Sequence, residues 1–303
     1  MVKLLFGTDP EVFAVYIKDG KPYTLPPHFF RTKLGVQASD DKRHPVFFQT
    51  GTAKFHEDGA AFEMAIMPSH NPRDLFDRIH ECMQQAEEMI IRRFPEYCEP
   101  KLQCLPTVGF EVERWKDEGE NFRMSTEFGC DPDLDAWDTE KKCAVLDASK
   151  HPERYGGGHI HFSGSKFIQK DPILAVQVLS ITAGVAAVAY SDVPELDKAR
   201  TFLYGRPGKY RVQQYGSRNQ FGKDYAIGVE YRTPSNRWVS DWNIAEKVFE
   251  WGRIALEELL PKKNAYDIVM EVSQSAASAI LGANQEEAMG ILSFINSEIK
   301  GAK

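Results

Sequence analysis

Several common signals are missing or weak in this chain. Its five cysteines, Cys82, Cys98, Cys104, Cys130 and Cys143, are odd in number, and none belongs to a Cys-x-x-Cys pair. That argues against a disulfide framework and for reduced, cytoplasmic usage. Long apolar runs are also scarce. The longest, near Val176 to Tyr190, is interrupted by Ser180, Thr182 and Gly184. It reads as a buried core helix rather than a membrane span. No leader-like segment precedes Leu4-Leu5-Phe6. Positive charge is in deficit, with 37 Lys and Arg against 44 Asp and Glu and a net charge of -7. Such a surface suits nucleic acid poorly, although a local basic pocket stays open. There is no dinucleotide fingerprint, P-loop, solenoid repeat or low-complexity tract.

What remains is an ordinary globular composition over 303 residues, 42% hydrophobic and 27% charged. That length allows one large domain or two small ones with an ample core. Val2 to Phe6, Val12 to Tyr16, Phe62 to Met67, Val108 to Trp115, Ile160 to Ser163 and Gly228 to Thr233 read as strands. Asn71-Pro72 caps a helix over 73–93, whose Leu75, Ile79, Cys82, Met83, Ala86 and Ile90 recur at helical spacing and which Pro95 stops. Asp171-Pro172 caps another, running to about Ser191, and Pro194 to Ala199 adds a short piece. Helices follow over 241–260, 265–281 and 285–299. Asp117 to Asn121 reads as a polar turn, and Asp138 to Pro152 and Arg200 to Arg218 read as loop. Scattered strands between long insertions point to an α+β fold, an antiparallel sheet backed by helices.

The segment Arg154-Tyr155-Gly156-Gly157-Gly158-His159-Ile160-His161-Phe162-Ser163 carries the most chemistry. Residues two apart share a strand face, so His159 and His161 leave together while Ile160 and Phe162 turn to the core. The glycines suit a bend or a close approach by a ligand. Two imidazoles on one face begin a metal or phosphate site, or are two hydrogen-bonded histidines on a half-buried sheet.

Acidic motifs accompany them. Asp9-Pro10-Glu11 places two carboxylates on one face if it is strand, and a cation would relieve their repulsion; a surface turn is the alternative. Glu57-Asp58-Gly59-Ala60-Ala61-Phe62-Glu63 ends with an acid inside an apolar strand, where a metal or an Arg partner must compensate its burial. In Glu230-Tyr231-Arg232, acid and guanidinium share a face. They form either a structural ion pair or a metal ligand beside a phosphate-binding fork. Arg206, Arg211 and Arg218 lie just upstream among Tyr204, Tyr210 and Tyr215. Glu111-Val112-Glu113 also has the acid-x-acid form but reads as a solvated face. Gly129-Cys130-Asp131-Pro132-Asp133 echoes the turn at Gly7, through shared turn chemistry or as a second acidic cluster at the same cleft.

In this order, the blocks at Gly7, Glu57, Gly129, Arg154 and Gly228 resemble those of phage-type amidoligases. These carboxylate–amine ligases are relatives of glutamine synthetase and glutamate–cysteine ligase. The resemblance implies one catalytic domain over 1–303, with its motifs in 7–235 and a helical part over 240–303. It implies a curved antiparallel sheet, a partial barrel with helices on its outer face. It also implies an activity: ATP phosphorylates a carboxylate, an amine attacks the acyl phosphate, and ADP and phosphate leave. Two or three Mg²⁺ or Mn²⁺ ions would be lined by strand carboxylates and one histidine.

Carried over residue by residue, Asp9, Glu11, Asp58 (or Glu57), Glu63, His159 and Glu230 are the implied metal ligands. Asp9 stands where the family has a longer glutamate. His161, Arg206, Arg211 and Arg232 are the implied ATP-phosphate contacts. Of these His161, Arg211 and Arg232 act in catalysis. The implied partners are ATP, a carboxylate and an amine from an amino acid, peptide or protein terminus, with neither nucleic acid nor membrane. The implied setting is cytoplasmic, in the host cell if phage-encoded. A glycine segment over 205–216 is expected to act as a lid that shields the acyl phosphate. Competing readings are a metal-dependent hydrolase using His159, His161 and nearby acids, and a non-catalytic nucleotide-binding module.

Overall fold

The structure, a computed structural model, describes residues 3–36, 44–94, 101–128, 134–140, 146–215 and 220–301. Its strands are β1 Leu5–Thr8, β2 Glu11–Lys18, β3 Lys21–Leu25, β4 Val46–Gln49, β5 Ala53–Asp58, β6 Ala61–Ser69, β7 Lys101–Gln103 and β8 Thr107–Gly109. They continue as β9 Glu127–Phe128, β10 Leu134–Asp135, β11 Leu146–Asp147, β12 Glu153–Tyr155, β13 Ile160–Ser163, β14 Lys209–Gln214 and β15 Ile227–Tyr231. Among the described residues, thirteen of these join one sheet in the order β10-β14-β15-β13-β1-β6-β2-β3-β8-β12. Strand β5 adds to β6, β4 to β5, and β7 to β2, while β9 and β11 pair separately. The pairing is antiparallel except for β3 with β8. The sheet is open, its two end strands not meeting.

One face of this α+β fold is apolar and covered by helices. Phe162 and Phe6 pack edge-on at 5.7 Å, and Phe6 meets Phe249 of the helix Trp242–Ile254 at 5.6 Å. Ile160, Val229 and Tyr231 are fully buried on that side. The helix Pro72–Met89 starts as the Asn71-Pro72 pattern requires: the Asn71 side chain accepts from the Arg73 amide. Phe76 then packs edge-on against Trp242.

Several expectations need correction. Val108 to Trp115 is not a continuous strand. Only Thr107–Gly109 pairs, and Val112–Trp115 forms a helical turn. The acids at 111 and 113 explain why. Glu111 pairs with Arg114 and Glu113 with Lys116 at the three-residue spacing of a helix, and Glu111 also accepts from Tyr16 and Lys18. Arg200 to Arg218 is not all loop, because Lys209–Gln214 is a ladder strand against β15. A lid over 205–216 therefore cannot move as one free segment. Helix Glu120–Met124 intrudes on the polar turn at 117–121, and β11 on the polar stretch 138–152.

The apolar helix over 172–189 is 72% buried, but it is not regular throughout. A π turn occupies Ser180–Gly184, where Ser180 and Thr182 hydroxyls donate to the carbonyls of Val176 and Val178. The 241–260 helix likewise ends in a π turn, Ala255–Leu259. Strand β5 has no clear sequence signal, whereas the helix Pro27–Leu34 has Pro27 at its start and a left-handed Gly35 at its end. The echo at 129–133, Pro95 and Arg218 lie outside the described residues.

Candidate functional site

The polar face of the sheet gathers the motif residues by register. Gly7 of β1 stands opposite His161, His161 opposite Glu230, and Glu230 opposite Arg211. This row crosses four strands. A second row runs from Glu11 on β2 to Glu63 on β6 and on to His56 on β5. Sequence-distant residues thus meet because antiparallel pairing stacks like-facing positions side by side.

The first row ends in a cluster of Asp9, His161 and Glu230, with one ligand atom from each within 4.8 Å of the others. His161 Nε2 lies 3.1 Å from Asp9 Oδ1. His159 joins from the side, its Nδ1 3.4 Å from Asp9 Oδ1 and 3.6 Å from Glu230 Oε1. Glu230 is fully buried, accepts from Gln213 Nε2 at 2.5 Å and pairs with Arg232 Nη1. Arg211 Nη1 is 3.8 Å from its other oxygen.

Burial opposes the charge on Asp9, but the charge of His161, its hydrogen bond and the neighbouring His159 outweigh it and hold the carboxyl below its usual range. Burial and Asp9 likewise oppose the charge on Glu230, yet Arg232, His161 and His159 keep it low. Burial disfavours the His161 cation, and Asp9 raises its pKa nonetheless. Arg232 and Arg211 give this cluster cations of its own.

The second cluster, Glu11, Asp58 and Glu63, has the same compactness, with ligand atoms within 4.8 Å. Its supports are weaker. His56 Nε2 is 3.2 Å from Glu63 Oε1, and His44 Nδ1 is 3.4 Å from Asp58 Oδ1. Burial pushes the Glu11 carboxyl above its usual range and Asp58 repulsion adds to this, against the pull of His159, the Gly157 amide and Arg232. Burial lowers His56, so it is a poor source of positive charge.

The mutual repulsion of three carboxylates this close is what a hard cation relieves. Oxygens bound at about 2.1–2.6 Å around one ion lie at most roughly 4–5 Å apart, which the spacing satisfies. Of the two candidate acids at 57 and 58, Asp58 turns to this cluster. Glu57 turns away and accepts from Arg31 Nε at 2.9 Å.

The glycine run sets these parts against each other. Gly157 N–H donates to Glu11 Oε2 at 2.6 Å, while Glu11 N–H donates back to the Gly157 carbonyl at 2.9 Å. A Cβ on Gly157 would lie 2.3 Å from His159 Nε2, and one on Gly158 would lie 2.2 Å from the Ser235 carbonyl oxygen. The close approach anticipated for a ligand is therefore made by the protein's own atoms. Asn236 Nδ2 donates to the Glu11 carbonyl at 2.8 Å and fixes the start of β2.

Compared against known protein families and curated proteins, the chain matches none.

All six implied metal ligands lie at or beside the two clusters. His161, rather than His159, completes the tightest set with Asp9 and Glu230. Arg211 and Arg232 flank Glu230, whereas Arg206 is exposed on a turn, its carbonyl accepting from Thr233 Oγ1 at 2.9 Å. A cavity of about 250 Å³ opens beside His161, lined by Pro68, Ser163, Tyr215, Phe221 and Tyr225.

Sequence reasoning gave no site role to Tyr204, Asn236, His44 or His56. Tyr204 hydroxyl lies 3.2 Å from His159 Nε2, 3.0 Å from Arg232 Nη2 and 3.4 Å from Glu11 Oε1, between the clusters. Its only sequence signal was membership of the Arg-Tyr-Gly stretch.

Proposed function

We propose that the protein is an ATP-dependent carboxylate–amine ligase of the phage amidoligase type, forming an amide or isopeptide bond. The observation that carries this reading is the pairing of two carboxylate clusters with the buried Arg232 and the partly buried Arg211 on one sheet face. Phosphoryl transfer asks for in-line positioning and neutralised phosphate oxygens, which cations and guanidiniums supply. A site that only activates water has little need for Arg211 and Arg232.

Asp9, Glu230 and the two imidazoles would hold one Mg²⁺ or Mn²⁺, and Glu11, Asp58 and Glu63 another. Bound there, the ions supply charge neutralisation to the transferring phosphoryl group. Arg232 and Arg211 meet its remaining oxygens. His161 faces the cavity as well as Asp9, and the aromatic walls of that cavity suit the base of the nucleotide.

In the reaction a carboxylate oxygen bonds to the terminal phosphorus as the bond to ADP breaks. The amine nitrogen then bonds to the acyl carbon, phosphate leaves with the bridging oxygen, and the nitrogen loses a proton. The family's partial barrel would correspond to this open sheet, with the clusters on its polar face.

Thermal unfolding with ATP, with and without Mg²⁺, tests the reading without knowledge of the substrate. A ligand at about 100 times its Kd adds ~2.7 kcal/mol, a shift of several degrees. The expected result is a Mg²⁺-dependent shift that is lost in both Glu63→Ala and His161→Ala. ADP release over a panel of carboxylates and amines would then find the substrates. A shift with Zn²⁺ or Mn²⁺ alone and none with nucleotide would sink the ligase and favour the hydrolase.

A further inference from the structure

We infer that Tyr204 is a positioning residue that fixes the tautomer of His159, so that Nδ1 presents its lone pair to a cation held by Asp9 and Glu230. The inference rests on the reading of that cluster as a cation site. Arginine carries donors only, so Arg232 Nη1, 3.4 Å from His159 Nδ1, requires Nδ1 to accept. In the neutral ring the proton then sits on Nε2, which is the atom that faces the Tyr204 hydroxyl at 3.2 Å. The phenol oxygen accepts from Nε2–H and from Arg232 Nη2, and its own proton points to Glu11 Oε1 at 3.4 Å.

The other tautomer would turn an N–H at Nδ1 toward Arg232 Nη1, leaving that nitrogen Glu230 as its acceptor, and would place the lone pair on Nε2, away from Asp9 and Glu230. In the favoured tautomer Nδ1 faces two carboxylate oxygens at 3.4 and 3.6 Å, spacings typical of ligands that share one ion. A metal-binding histidine is oriented by the partner of its other ring nitrogen, and removing that partner typically costs about 10–100-fold in metal affinity.

The turn that carries Tyr204 is itself rigidly held. The buried Arg200 guanidinium lies 5.0 Å from the Tyr204 ring and donates to the carbonyls of Thr233 and Pro234. The phenol is thus tied to the segment just after Arg232.

The test uses protein labelled with ¹⁵N-histidine and Mn²⁺ as the probe. Two-bond ¹H–¹⁵N correlations read the tautomer, with His159 assigned by its loss in His159→Gln. The wild type is expected to show Nε2–H at His159, and Tyr204→Phe to lose that preference while melting near the wild type. Mn²⁺ titration followed by electron paramagnetic resonance should show affinity falling about 10–100-fold in Tyr204→Phe. An Nδ1–H ring in the wild type, or unchanged Mn²⁺ affinity in Tyr204→Phe, overturns the inference alone. Failure of the wild type to bind Mn²⁺ overturns it together with the cation reading.

Discussion

Glu230→Gln is expected to lower the melting temperature by about 10 °C and to reduce ADP release at least ~1000-fold. Both effects follow from where Glu230 sits. Its carboxylate is fully buried, and it forms an ion pair with Arg232, itself almost wholly buried. Removing one member of a buried pair costs about 3–5 kcal/mol, because the other charge is left without compensation. At roughly 2–4 °C per kcal/mol for a domain of this size or slightly smaller, the melting shift follows.

One effect opposes this. Asp9 repels Glu230, and that repulsion disappears in the variant. The contact with Arg232 is direct, so its loss dominates. Glutamine keeps the shape and one acceptor oxygen, so the chain is expected to fold. On the proposed function it lacks the charge that a cation and the arginines would share, and single electrostatic groups in catalytic sites are worth about 10²–10³ in rate. Loss of both a cation ligand and the Arg232 partner places the expectation above that range. Glu113→Gln is the control: its side chain is 83% exposed and pairs with Lys116 at the surface, so stability should stay within about 0.5 kcal/mol. Wild-type melting and turnover in Glu230→Gln would refute both the burial argument and the proposed role.

The parts of the fold that could be read from the sequence are those where one residue's role agrees with its neighbours'. Ile160 to Ser163 alternates cleanly, and its strand is found there to the residue. Asn71-Pro72 and Asp171-Pro172 announce helix starts by local chemistry, and both caps form. Where a charged side chain is buried for a distant reason, the pattern breaks. Strand β5, Ala53 to Asp58, has buried apolar residues at 53 and 55. Its buried His56 and Glu57 then spoil the alternation, because their partners Glu63 and Arg31 come from other elements.

Val108 to Trp115 fails in the opposite sense. It alternates like a strand, but the i,i+3 ion pairs of Glu111 and Glu113 favour a helical turn. The site divides in the same way. Residues borne on strands, such as Glu63, His161 and Glu230, were legible because a strand fixes which face each one takes, and Arg232 follows directly on the end of β15. Tyr204 and Asn236 reach the site from a turn and a 3-10 segment, whose direction no short-range pattern encodes.

The glycine run bears on both stability and catalysis, and Gly158→Ala should separate a strap from a flexible loop. The expected result is a loss of about 1–3 kcal/mol, seen as a melting drop of several degrees. Turnover should also fall by roughly 100-fold. The added Cβ would lie 2.2 Å from the Ser235 carbonyl oxygen and 2.5 Å from Trp238 Nε1. Neither neighbour can yield cheaply. Trp238 is buried and donates from Nε1 to the Gly158 carbonyl at 2.9 Å, and Gly158 N–H donates to the Pro234 carbonyl at 3.0 Å. Arg200 holds Thr233 and Pro234 from the other side, and Asn236 is committed to Glu11. The strain therefore passes into His159, the next residue, and into Glu11 across the strap. Small displacements of groups that position reacting atoms cost about 10²-fold. Gly51→Ala, whose Cβ would meet nothing within 4 Å, should be nearly neutral and controls for backbone stiffening. Equal melting and equal turnover for Gly158→Ala and the wild type would mean that the run is slack, and that the registry of the two clusters is set elsewhere.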